Sequence, residues 1–137
     1  MRKYFFGFIL TTLLLSYAIS LNAKDKKVQV DVLYFHATMR CDGCLKIEKF
    51  TKDIVNSSFS KELTDSLLTF SSLDFMQVEN EHFQDDYKFE TQALIISKKV
   101  NGKEVRWKNL VQIWDYYSDF DKFRNYVEKE VKKFLNE

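Results

Sequence analysis

The chain's only two cysteines stand as Cys41-Asp-Gly-Cys44, inside the run FHATMRCDGCLKIEKF. Thiols at this spacing fit three chemistries: a redox couple, half of a metal site, or two buried thiols packed as small apolar side chains. A bond between them would close a very short loop, worth about 2 kcal/mol in the chain-entropy model against about 4.7 for a loop of ~100 residues. A structural staple would be badly placed here, so the pair calls for a chemical explanation. A zinc site would need two further ligands, and His36 and His82 are the only histidines. They fall on different expected elements without ligand-like spacing. Met39, two residues before Cys41, adds a thioether to the two thiols, a donor set suited to Cu(I).

The elements around the cysteines can be read from periodicity. KVQVDVLYFHA is strongly β-prone and predicts a strand from Val28 to about Ala37. After the cysteines, LKIEKFTKDIV puts Ile47, Phe50 and Ile54 on one helical face and Glu48, Lys49, Lys52 and Asp53 on the other. SLLTFSSLDF reads as a second strand, and VENEHFQDDYKF as a short polar helix presenting Phe83 and Tyr87. In TQALIISKKVNGKEVRWKNL, an apolar run and a second strand flank Asn101-Gly102, a pair suited to a turn with positive φ, so a β-hairpin is expected. Phe120, Phe123, Val127, Val131 and Phe134 then recur at helical spacing in an amphipathic C-terminal helix. VQIWDYY fits neither period.

The N-terminus is a different kind of segment. Arg2 and Lys3 precede the apolar run YFFGFILTTLLLSYAISL, which gives way to the polar LNAKDKK. This is the pattern of a secretory signal peptide over residues 1–23, with cleavage expected after Ala23, or alternatively after Ala18. Left uncleaved, the run is near the lower length limit of a membrane anchor, the one route by which a membrane enters this reading. Residues 24–137 form the expected domain, periplasmic or secreted, where thiols are oxidised unless a dedicated reductant acts on them. Positive and negative side chains nearly cancel, at a formal net charge of +1, and are interspersed. With no basic stripe or block, nothing indicates a nucleic-acid partner.

The order β-α-β-α-β-β-α, with Cys-x-x-Cys between the first strand and first helix, is that of the single-domain α/β thioredoxin-like fold. A dithiol benefits from that location. Unpaired amide N–H groups and the helix dipole stabilise the thiolate of the first cysteine, making it a nucleophile and a good leaving group. Cys41 is therefore expected to be the exposed attacking sulfur and Cys44, a turn inside the helix, the resolving one. The metal-binding alternative meets a difficulty of order: Met-x-Cys-x-x-Cys domains that carry soft metals are shorter and run βαββαβ.

YFHATMRCDGCLKIEKFT, ENEHFQDDYKFETQALII and GKEVRWKNLVQIWDYYSDFDKFRNYVEKEV together resemble the nitrophenyl compound nitroreductase subunit ArsF family, of the thioredoxin-like superfamily. The resemblance spans most of the chain after residue 23. The family name implies a link to nitroaromatic reduction, as an accessory subunit of a redox system; thiol-disulfide exchange with a protein thiol or disulfide partner, with no cofactor, is the expectation from the cysteines themselves. Against ordinary thioredoxins, TQALII aligns Gln92 with the cis-proline beside the dithiol, and the chain contains no proline. Phe35 aligns with their buried acid and Arg40 with the aromatic before the first cysteine, so another base would have to serve. Gln92 and Arg40 are the expected substrate-binding positions. Arg40 favours a thiolate at Cys41 and Asp42 opposes it.

Other residues have plainer expectations. His36, at a strand end, is expected to be packed or hydrogen-bonded. Trp107, Trp114, Tyr116 and Tyr117 are expected in the core and its rim. Lys98, Lys99 and Lys103 are expected as solvated charges around the hairpin.

Overall fold

The computed structural model describes residues 26–137; the expected signal peptide lies outside the described residues. Its elements are β1 (Val28–His36), α1 (Asp42–Ser58), α2 (Ser60–Thr64), β2 (Leu68–Asp74), α3 (His82–Tyr87), β3 (Ala93–Val100), β4 (Lys103–Asn109), α4 (Ile113–Tyr116) and α5 (Phe120–Asn136). The four strands form one mixed sheet in the order β2-β1-β3-β4. β1 runs parallel to β2 and antiparallel to β3, and β3 is antiparallel to β4. This is the single-domain thioredoxin-like fold, with α2 and α4 as short additions to the expected order.

β1 is covered on both faces, and its near-continuous apolar run suits a strand buried on both sides. Val30, Val32 and Tyr34 share a core with Ile47, Ile54 and Val55 of α1 and with Phe123, Val127, Val131 and Phe134 of α5. Phe35 turns to the other face, where Phe75, Tyr87, Phe89, Ala93 and Ile95 form a second cluster with Phe83 packed against it. The apolar periods of α1 and α5 thus lie against one face of the sheet, and the short helix α3 lies over the other.

At the hairpin, Asn101 and Gly102 have φ of 54° and 79°, the left-handed pair that a two-residue turn requires. Asn101 is also tied to the chain ahead of β1: Lys27 N–H donates to its Oδ1 at 3.1 Å, and its own N–H donates to the Lys27 carbonyl at 2.8 Å.

The lysines correct one expectation. Lys98 is 9% exposed, and its ammonium donates to the carbonyl of Phe134 at 2.9 Å, meeting a carbonyl in the last turn of α5 where the helix dipole is negative. Lys99 is paired with buried Asp31 at 2.5 Å. Only Lys103 is plainly exposed. β3 lies inside the sheet, so a lysine there must either reach past the core edge or find a partner.

Candidate functional site

Both parallel strands end at the same edge of the sheet, joined there by a hydrogen bond from Phe75 N–H to the His36 carbonyl at 2.9 Å. The loop leaving β1 carries Met39 and Arg40 and delivers Cys41 as the N-cap of α1. The Cys41 sulfur accepts from the Cys44 N–H at 3.1 Å, and the Cys41 carbonyl accepts from Leu45 N–H at 3.1 Å. The cysteines are bonded to each other, with 5.0 Å between their Cα atoms. Cys41 is exposed, whereas Cys44 is 1% exposed. A sulfur at an N-cap meets amide N–H groups that the helix cannot use, the local setting that favours a thiolate.

Polar side chains converge below the disulfide. Tyr34, fully buried, donates its hydroxyl hydrogen to the Cys44 carbonyl at 2.9 Å. Burial holds its phenol well above the usual range; the Glu48 charge adds to this and the Arg40 charge opposes it. Arg40 is turned onto its own protein: it pairs with Glu48 and its Nε donates to His36 Nδ1 at 3.1 Å. Its guanidinium joins the loop before Cys41 to the second turn of α1. His36 is 7% exposed and lies 3.0 Å from the Ala37 carbonyl, the packed and hydrogen-bonded histidine expected.

Gln92 immediately precedes β3. Because Ala93 pairs with Phe35, Gln92 lies alongside the end of β1 from which the dithiol loop departs. Its preceding peptide bond is trans, and its side-chain oxygen accepts from Thr91 Oγ1 at 2.5 Å. Tyr117 lies over the dithiol loop, with its ring 3.4 Å from where a Cβ on Gly43 would stand. It remains 37% exposed, a rim position in keeping with its expected role. Trp114 and Tyr116 pack against the core, and Trp107 meets the ring of Tyr87 edge-on.

Met39 is 88% exposed and adjoins the cysteines in sequence; with the disulfide formed, the two thiolates that a soft ion would need beside it are not free. His82 is on α3 with Asp86 2.9 Å away, separate from His36 on β1. Among the described residues, no three His, Cys, Asp or Glu side chains are grouped to hold a metal. A cavity of about 320 Å³ between Val28, Phe59, Leu67 and Leu135 opens at the opposite end of the sheet.

Three residues of this site, Tyr34, Glu48 and Asp74, carry no sequence motif. Asp74 accepts from Thr38 Oγ1 at 2.7 Å and so braces the dithiol loop. Of the three, only Glu48 had a legible signal: it stands four residues after Cys44, on the same side of a helix. Neither protein-family models nor curated proteins match this chain.

Proposed function

We propose that this chain is an exported thiol-disulfide exchange protein, with Cys41 attacking and Cys44 resolving, which serves a protein redox partner as an accessory subunit in the periplasm or outside the cell. One observation carries this reading: the two bonded sulfurs are inequivalent, one exposed and capping the helix, the other buried one turn on. That inequivalence suits ordered exchange, in which a partner reaches one sulfur only and the second closes the reaction from within. Membership of the ArsF family is part of the proposal, but the thiol chemistry does not depend on it.

The reading is tested by trapping. Cys44→Ser leaves an attacking thiol whose mixed disulfide cannot be resolved, and should accumulate a partner-linked species in the native host. Cys41→Ser should not. Non-reducing gels of both variants, with mass spectrometry of the adduct, show the asymmetry and name the partner. A Cu(I) carrier using Met39, Cys41 and Cys44 predicts the contrary: no asymmetric adduct, and metal lost from both variants. Equal absence of adducts, with stoichiometric metal in the anaerobically purified unmutated protein, overturns the redox assignment.

A further inference from the structure

For Cys44 to attack, it must lose a proton, and with 1% of its surface exposed it cannot readily pass that proton to bulk water. The acid that thioredoxins place on the first strand is replaced by Phe35, which is buried in the cluster on the opposite face of the sheet from α1. Tyr34 reaches Cys44 by a hydrogen bond, but its proton is given to the Cys44 carbonyl, and a neutral phenol is too weak an acceptor to act as a base. His36 is held against the Ala37 carbonyl and Arg40.

We infer that Glu48 is the proton acceptor for Cys44, with Arg40 as its positioning residue. Glu48 follows Cys44 by four residues on α1, a spacing that sets Cβ atoms about 5–6 Å apart, within reach of proton transfer directly or through one water. Its side chain is 22% exposed, so a proton taken up there can pass on to solvent. Arg40 clamps it from the loop ahead of Cys41, holding the carboxylate over the first turns rather than letting it swing outward. The charged and titratable groups around it are Tyr34 and His36 on β1, Arg40 on the loop, Asp74 opposite His36 on β2, and Asp42, Cys44 and Lys52 on α1.

The inference rests on the thiol-exchange reading. The Cys41 thiolate attacks the partner's disulfide, forming a mixed disulfide and expelling one partner sulfur as thiolate. Glu48 takes the Cys44 proton; the Cys44 sulfur bonds to that of Cys41 as the bond from Cys41 to the partner breaks, and the electron pair leaves on the partner's second sulfur. The partner disulfide is reduced and the dithiol oxidised. In the reverse direction, protonated Glu48 returns the proton to Cys44 as it leaves.

The test uses the reduced full chain with one equivalent of the aryl disulfide DTNB, whose coloured thiolate is released twice. The first release reports attack by Cys41 and the second reports resolution by Cys44. In Glu48→Gln, the ratio of second to first rate should fall about ten- to hundredfold near neutral pH, and the deficit should narrow toward about pH 9, where an ordinary thiol ionises unaided. Glu48→Asp should recover part of the ratio. In the unmutated protein, the second phase should slow in heavy water more than the first, a readout independent of how any variant folds. An unchanged ratio in Glu48→Gln, equal isotope effects on the two phases, or the same loss in His36→Asn with Glu48 intact overturns the assignment. An unmutated protein that releases only one equivalent of the coloured thiolate, with no second release, overturns the exchange reading itself.

Discussion

The hydroxyl of Tyr34 donates to the backbone carbonyl of Cys44 across 2.9 Å, fixing the buried cysteine to the strand beneath it. Tyr34 has no exposed surface, so neither group has water to turn to. Tyr34→Phe keeps the ring and removes the donor, and should cost about 1–2 kcal/mol. Tyr34→Ala also opens a cavity in the main core and should cost about 3–5 kcal/mol. Urea unfolding of both variants, with slopes matching the unmutated protein, measures the difference; equal costs would assign the whole effect to the lost hydrogen bond, and a cost-free Tyr34→Phe would assign it to packing.

The carboxylate of Asp31 is held in a different way. Burial raises its pKa, but hydrogen bonds from Lys99, Thr69 and Gln29 together outweigh that, leaving it below the usual carboxylate range. A group depressed in the folded state contributes stability that is fully present above its unfolded pKa and is lost as pH falls through the folded one. Asp31→Asn should therefore be less stable near neutrality by about 1–3 kcal/mol, and its stability should decline less below about pH 4. Parallel acid limbs for the two proteins in pH-dependent unfolding would count against this role.

How much of this was readable beforehand depended on whether a residue's role was local. The turn at Asn101-Gly102 was legible because positive φ is a property of the residues themselves. So was α5, because Phe120, Phe123, Val127, Val131 and Phe134 carry their period in the sequence. The N-cap position of Cys41 followed from strand and helix periods meeting on either side of it. α2 was missed because SKELT buries nothing; only the break at Phe59, with φ −131°, separates it from α1. Lys98 and Asp31 misled or went unnoticed because their partners, Phe134 on α5 and Lys99 on β3, are distant in the chain or across the sheet. A charged residue in a strand covered on both faces was nevertheless a signal that a partner had to exist.

Lys98 offers a check on that lesson. Its ammonium serves the Phe134 carbonyl, so Lys98→Met keeps the apolar stem and removes the donor. The expected loss is about 1–2 kcal/mol, with faster amide exchange confined first to the last turn of α5. Uniform exchange throughout the domain would place the effect in the sheet.

The hairpin gives a case in which backbone alone should decide. Gly102 has φ of 79°, and a Cβ placed there would meet nothing within 4 Å. Gly102→Ala therefore incurs no clash, only the strain of a side chain in left-handed backbone, about 1–2 kcal/mol. Asn101→Gly at the neighbouring position relieves that kind of strain but discards the bond from Lys27 N–H to Oδ1 and adds freedom to the unfolded chain, so it should also destabilise, by about 0.5–1 kcal/mol. The order of the two melting temperatures separates the effects: Gly102→Ala should melt below Asn101→Gly, and both below the unmutated protein. Asn101→Gly melting lower would make the tether to Lys27, rather than the turn conformation, the dominant restraint on the hairpin.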